Sequence, residues 1–140
     1  MWAVEVTGQC AASPAQVFNV LAEPEKWSEW NEGVLSVEMH GPFATGTTAV
    51  MVLPDATALP FRFAWVEENE GFEDVTEVPD AGLFVHVRHE LSPIEGGTQI
   101  TYRCEVDGPE DVASEVGAAV TADFAEVIAA LGARAEQMSA

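Results

Sequence analysis

The sequence predicts an α+β fold: a seven-stranded antiparallel sheet, two short helices after the first strand, and one long C-terminal helix. Three observations lead there. Period-two alternation of apolar and polar residues recurs along the chain, most clearly in residues 2–10, 83–91 and 98–107. Turn-forming residues separate these runs, above all Glu95-Gly96-Gly97, where paired glycines supply the positive dihedrals of a tight hairpin. From Pro109 to about Gln137 the chain has no internal proline and an apolar stripe at helical spacing.

Taken in order, Trp2, Val4 and Val6 alternate with Ala3, Glu5 and Thr7 as in a half-buried strand. Ser13-Pro14 with Gln16 three residues after the serine is a helix start, and Val17, Phe18, Val20 and Leu21 give that helix its apolar side. Pro24 begins a second short helix in which Trp27 and Trp30 share a face while Glu25, Glu29 and Glu32 look outward, and Gly33 fits a left-handed cap. Strand-like runs then follow at 34–40, 47–53, 59–68, 72–78, 83–91 and 98–107. In the last helix Val116, Val120, Phe124, Val127 and Leu131 form the stripe, flanked by Ala113 and Gly117, with Asp111, Glu115, Glu126 and Glu136 opposite. Gly117 either admits a close neighbour or marks a kink.

A chain of 140 residues, 48% hydrophobic, suits one domain spanning 1–140 with a single core. Against 24 Asp plus Glu stand 5 Lys plus Arg, a formal net charge of -19. Such a field repels phosphate backbones and anionic headgroups, so neither nucleic acid nor a stable membrane association is expected. The acidity suits a high-salt cytosol or simple solubility, and a monomer or weak homodimer. The N-terminus lacks the pattern of a signal peptide and no apolar stretch reaches the ~18 residues of a membrane span, which points to the cytoplasm. Cys10 and Cys104 are too few for a disulfide scaffold. His86 and His89 point to opposite faces of one strand, so no metal site is expected, and no cofactor.

The segments "SPAQVFNVLAEPEKWSEWNEGV" and "LSPIEGGTQITYRCEV", followed by the terminal amphipathic helix, give a chain that resembles the START-like superfamily, in its SRPBCC (polyketide cyclase/dehydrase-like) branch. The likeness runs over nearly the whole chain. It implies a helix-grip fold, a curved sheet wrapped around the C-terminal helix with an elongated cavity for an apolar ligand between them. The family holds aromatase/cyclases, lipid and sterol carriers, hormone receptors and chaperone activators, so the fold does not select a chemistry. Trp27 and Trp30 then turn inward to plug one end of the grip, and Trp30 shares in lining its mouth.

Strand parity sorts the remaining candidates. Ile100, Tyr102, Cys104 and Val106 share one face, as do Leu83, Val85, Val87, His89 and Leu91. The same argument turns Phe61, Phe63 and Trp65 inward, with a bulge expected near Glu67 and Glu68. Arg62, Arg88 and Arg103 fall outside, where Arg88 and Arg103 can pair with Glu90 and Glu105. The expected ligand-binding set is therefore Trp30, Phe61, Phe63, Trp65, Val87, His89, Tyr102, Cys104, Val120 and Phe124. His89, Tyr102, Cys104 and Thr48 are the groups able to orient a polar end of a ligand, and Asp123 lies at the cavity rim or in solvent. Cys104 is a quiet thiol unless His89 serves as its base.

Three functions fit. The favoured one is binding or carriage of a small hydrophobic or amphipathic ligand, lipid- or polyketide-like, in the internal cavity. The alternative is a polyketide cyclase/dehydratase-type enzyme with His89 and Tyr102 as acid and base, against which stands the outward parity of every strand arginine. A protein-interaction module using the acidic surface is the third.

Overall fold

The computed structural model describes residues 1–139. Its elements follow the order β1 (Trp2–Cys10), α1 (Pro14–Leu21), a 3₁₀ turn (Pro24–Glu29), β2 (Ser36–Met39), β3 (Thr48–Val52), β4 (Ala58–Glu67), β5 (Gly71–Val78), a second 3₁₀ turn (Pro79–Ala81), β6 (Leu83–Ile94), β7 (Gly97–Asp107), α2 (Glu110–Thr121) and α3 (Phe124–Ser139). The seven strands form one antiparallel sheet in the order β1-β7-β6-β5-β4-β3-β2. This is the helix-grip arrangement.

The local signals act where the residues place them. Ser13 Oγ accepts from the Gln16 amide at 3.2 Å while Gln16 Oε1 accepts from the Ser13 amide at 2.7 Å, a complete capping box that starts α1. The second short helix is a 3₁₀ turn, in which residues three apart eclipse one another, so Trp27 and the cap residue Trp30 still lie on one side. Trp27 is buried and its Nε1 donates to the Leu21 carbonyl at 3.1 Å. Glu29 is exposed, as expected, and also pairs with Arg134, which ties the 3₁₀ turn to α3. Gly33 is not left-handed. Its amide donates to Asn31 Oδ1 at 2.9 Å, and its missing Cβ leaves room for the Asp123 carboxylate.

The expected single C-terminal helix is two, interrupted at residues 122–123. Thr121 Oγ1 donates to the Gly117 carbonyl at 2.9 Å, a back-bond to residue i−4 of the kind that bends helices. Gly117 is where the indole of Trp2 meets α2, since a Cβ there would lie 2.3 Å from the ring. The stretch Glu110–Met138 is long and apolar enough to cross a membrane by length and composition, contrary to the expectation above. Here it is the core helix: Ala113, Phe124, Ile128, Leu131 and Ala135 are buried, and α2 and α3 pack against β1 and β7.

The β6–β7 hairpin closes at Ile94↔Gly97, three residues later than the alternation suggested for β6. Its two glycines do different work. Gly96 takes φ +81 in the turn, whereas Gly97 needs no special dihedral but lies where a Cβ would come within 1.9 Å of the Cys10 carbonyl oxygen. We therefore expect Gly96→Ala to cost about 1 kcal/mol, from the strained dihedral alone. Gly97→Ala, forced against backbone at the β1–α1 corner, should cost at least ~2 kcal/mol. Urea titration of the two variants tests the ordering, and equal losses would contradict it.

Candidate functional site

Between the sheet and the α2–α3 junction lies a cavity of about 670 Å³. The sheet slips at one place, between β4 and β5. β4 and β5 pair in register to Phe63↔Asp74 and then resume at Trp65↔Glu73, so one residue of β4 is extra and the parity of everything beyond it reverses. Phe63 points into the hollow, and Trp65 points out, where the Arg88 guanidinium lies 4.1 Å from its ring. On β5, whose pairing with β6 runs unbroken, the inward side chains are Phe72, Asp74, Thr76 and Val78.

Of the ten expected ligand-binding residues, the structure brings six to the cavity wall: Trp30, Val87, His89, Tyr102, Val120 and Phe124. The other four are elsewhere. Trp65 is on the outer face because the bulge precedes it. Phe61 and Phe63 do face inward but are packed into an aromatic cluster with Phe43, Phe72 and Trp27 that fills one end of the grip. Trp27 and Phe72, stacked at 5.5 Å, are the members of that cluster that reach the cavity and form its end wall. Cys104 is fully buried beneath the wall, and burial pushes its thiol up to about 11, so it stays protonated and unreactive. Thr48 is exposed and its hydroxyl bonds His40 Nδ1 at 3.1 Å, away from the cavity. The outer-face ion pairs run partly along strands, Arg88 to Glu90 at 2.8 Å and Arg103 to Glu105 at 2.9 Å. Arg88 also reaches across to Glu73 at 3.4 Å.

Most of the wall is apolar, with Leu21, Val34, Met51, Leu53, Leu59, Val85 and Val116 among its members. The polar groups gather at two places. Asn31 and the exposed Asp123 line the side where Gly33 approaches the helix junction. Deeper in, Asp74, His89 and Tyr102 form a polar pole. His89 and Tyr102 are directly paired across β6 and β7, with ring centroids 4.4 Å apart, and His89 stacks on Phe72 at 3.9 Å. His89 Nδ1 lies 3.3 Å from the Phe72 carbonyl. A carbonyl can only accept, so Nδ1 carries the proton and Nε2 presents a lone pair. That lone pair lies 3.9 Å from Asp74 Oδ2.

At that distance the two do not form a hydrogen bond, nor an ion pair. Burial, with the neighbouring Glu73 charge second, pushes Asp74 up to about 8, and burial pushes His89 down to about 3. Both are mainly uncharged at neutral pH. The Tyr102 phenol is held above its ordinary range by burial and then by Asp74 and Asp123. The parity argument had left β5 unsorted and so missed Asp74. The signal was the alternation Phe72, Asp74, Thr76, Val78 in "GFEDVTEV", which sets a carboxylate among inward positions.

Residues 1–136 match the family model for polyketide cyclase / dehydrase and lipid transport proteins. The chain belongs to that family. No curated protein matches it in sequence. Among solved structures, a norcoclaurine synthase point mutant from Thalictrum flavum superposes with a TM-score of 0.80 at 14% identity, over 99% of this chain and 96% of the other. Protein MLL2253 from Mesorhizobium loti gives 0.78 at 17%, covering 99% of each. The di-domain ARO/CYC StfQ of the steffimycin biosynthetic pathway gives 0.81 at 14%, over 98% of this chain and 51% of that one. At these identities the likeness speaks to the fold. This family member places its only inward carboxylate of β5 beside a neutral imidazole.

The pole makes stability depend on pH in a defined direction. With its pKa raised from 3.8 to about 8, native Asp74 holds a proton that the unfolded chain has released, so its contribution falls as pH rises through that interval. His89, lowered from 6.5 to about 3, refuses a proton that the unfolded chain accepts, so its contribution falls as pH drops through that lower interval. Asp74→Asn should therefore gain little near pH 4 and progressively more towards pH 8, on the order of 2 kcal/mol there. Urea unfolding of both proteins at pH 5 and pH 8 reads the difference. A gain that shrinks with rising pH would refute the assignment.

Proposed function

We propose that the protein binds a small hydrophobic or amphipathic molecule in the cavity between its sheet and its C-terminal helices, as a carrier or sequestering module. One observation carries the reading: about 670 Å³ of space walled mainly by aliphatic and aromatic side chains, with polar groups confined to two patches. Hollows of ~300–1,000 Å³ of this character are typical of ligand sites. A polypeptide interior otherwise packs at crystal-like density, and an apolar molecule of matching shape would make in this space the dispersion contacts that side chains make elsewhere. Met51, Leu53, Leu59 and Val78 are part-exposed as well as lining, which gives an apolar molecule a path in.

A second reading rests on the polar pole. Asp74, His89 and Tyr102 are uncharged groups able to pass protons, set at one end of an apolar trough, which is the equipment a cyclase or dehydratase needs. Asp74 supplies the group that His89 and Tyr102 alone lacked. Two similar folds belong to proteins named as a synthase and an ARO/CYC, which supports weighing this reading.

Titration with the neutral fluorophore N-phenyl-1-naphthylamine should give saturable 1:1 binding. Ala119→Trp, at an exposed helix position that lines the hollow, should weaken it roughly tenfold or more by occupying the space. Binding that does not saturate, or that ignores the tryptophan, would remove the carrier reading. For the enzyme reading, a poly-β-ketone substrate analogue should be turned over by the wild type and not by a folded His89→Ala variant. Turnover untouched by that change takes His89 out of the chemistry.

A further inference from the structure

The cavity's electrostatics narrow the class of ligand beyond apolar. The chain has five Lys and Arg, and none lines the cavity. Lys26 is exposed beside Glu23, Arg62 is exposed on β4, Arg88 and Arg103 lie on the outer face, and Arg134 pairs with Glu29. The polar pole therefore holds no cation to meet a carboxylate or phosphate. Beside the Tyr102 hydroxyl it offers two groups that can accept from a cation: the Nε2 lone pair of His89 and the carboxyl of Asp74, which makes no hydrogen bond among the described residues. The rings of Phe72 and Tyr102 pack against His89, and Trp27 stacks on Phe72.

We propose that the ligand is an amphipathic amine whose ammonium group donates to both Asp74 and His89 Nε2 while its apolar body lies along the aliphatic wall. The spacing fits. A nitrogen at ordinary hydrogen-bond distance, about 2.8 Å, from each acceptor bridges the observed 3.9 Å with the two bonds at roughly a right angle. The bound ammonium keeps its protons and Asp74 gives its own to solvent, so the pole ends as a cation against a carboxylate. This inference rests on the cavity being a ligand site, and its test separates the two.

Decylamine, decanol and decanoate, which share one apolar chain, are compared as competitors of N-phenyl-1-naphthylamine at pH 8 in about 0.3 M salt, where surface attraction is screened. The amine should displace the probe at roughly tenfold lower concentration than the alcohol, with decanoate weakest. In Asp74→Asn the amine-to-alcohol ratio should fall below about threefold. In Glu115→Gln, which removes an exposed charge outside the cavity, it should hold. Decanol equal to or better than decylamine, decanoate tightest, or an amine advantage that survives Asp74→Asn would each overturn the inference while leaving a ligand site intact. Failure of the probe and all three competitors to bind would overturn both.

Discussion

Between Phe63 and Trp65 the pairing of β4 with β5 slips by one residue, and that slip keeps the largest side chain of β4 out of the interior. Side chains on a regular strand alternate faces, so one extra residue in β4 exchanges inside and outside for the rest of that strand. Without it Trp65 would point to the interior face. With it, Trp65 lies on the outer face beneath Arg88, while the unbroken register of β5 with β6 turns Phe72, Asp74 and Thr76 to the hollow. The aromatic cluster of Trp27, Phe43, Phe61, Phe63 and Phe72 stops the filling at one end, and the α2–α3 junction roofs the remainder.

That arrangement explains why the carboxyl of Asp74 is tolerated. A buried acid without donors is costly when charged, and neutralisation is the least expensive state available to it. His89 is neutral for the same reason, its one proton committed to the Phe72 carbonyl. Two neighbouring titratable groups both driven uncharged are a poor way to stabilise a fold, since apolar residues of similar size would pack there at no electrostatic cost. Perturbed groups of this kind gather where a protein does its chemistry or its binding.

Much of the fold was legible because its signals are local and agree with one another. The capping box at Ser13 and Gln16, the glycine turn before β7 and the alternation in β1, β6 and β7 each depend on residues a few positions apart. The pairing of His89 with Tyr102 then followed from a hairpin with a single short turn. What escaped depends on contacts distant in sequence. The bulge in β4 lies between Phe63 and Trp65, earlier than the region of Glu67 and Glu68 where the sequence suggests one, and it shows only in the pairing with β5. Phe61 and Phe63 were given the right face but the wrong neighbourhood, since parity says which way a side chain points and not whether Phe43 already occupies the space. The role of Gly117 depends on the approach of Trp2 from the far end of the chain; the break after Thr121, whose hydroxyl back-bonds to Gly117 four residues earlier, is the local exception.

The sheet does not close on itself, and its nine-residue border strand β1 carries a row of backbone amides and carbonyls with no strand beyond it. Such a border invites a second molecule to add on, the first step of many aggregates. The opposite border, β2, is only four residues long and offers little purchase. Repulsion works against such addition: two copies approaching along β1 bring together Glu5 on each and, behind them, a formal charge of -19 on either side. The acidity of this protein thus does for its open margin what closure into a barrel does for other sheets.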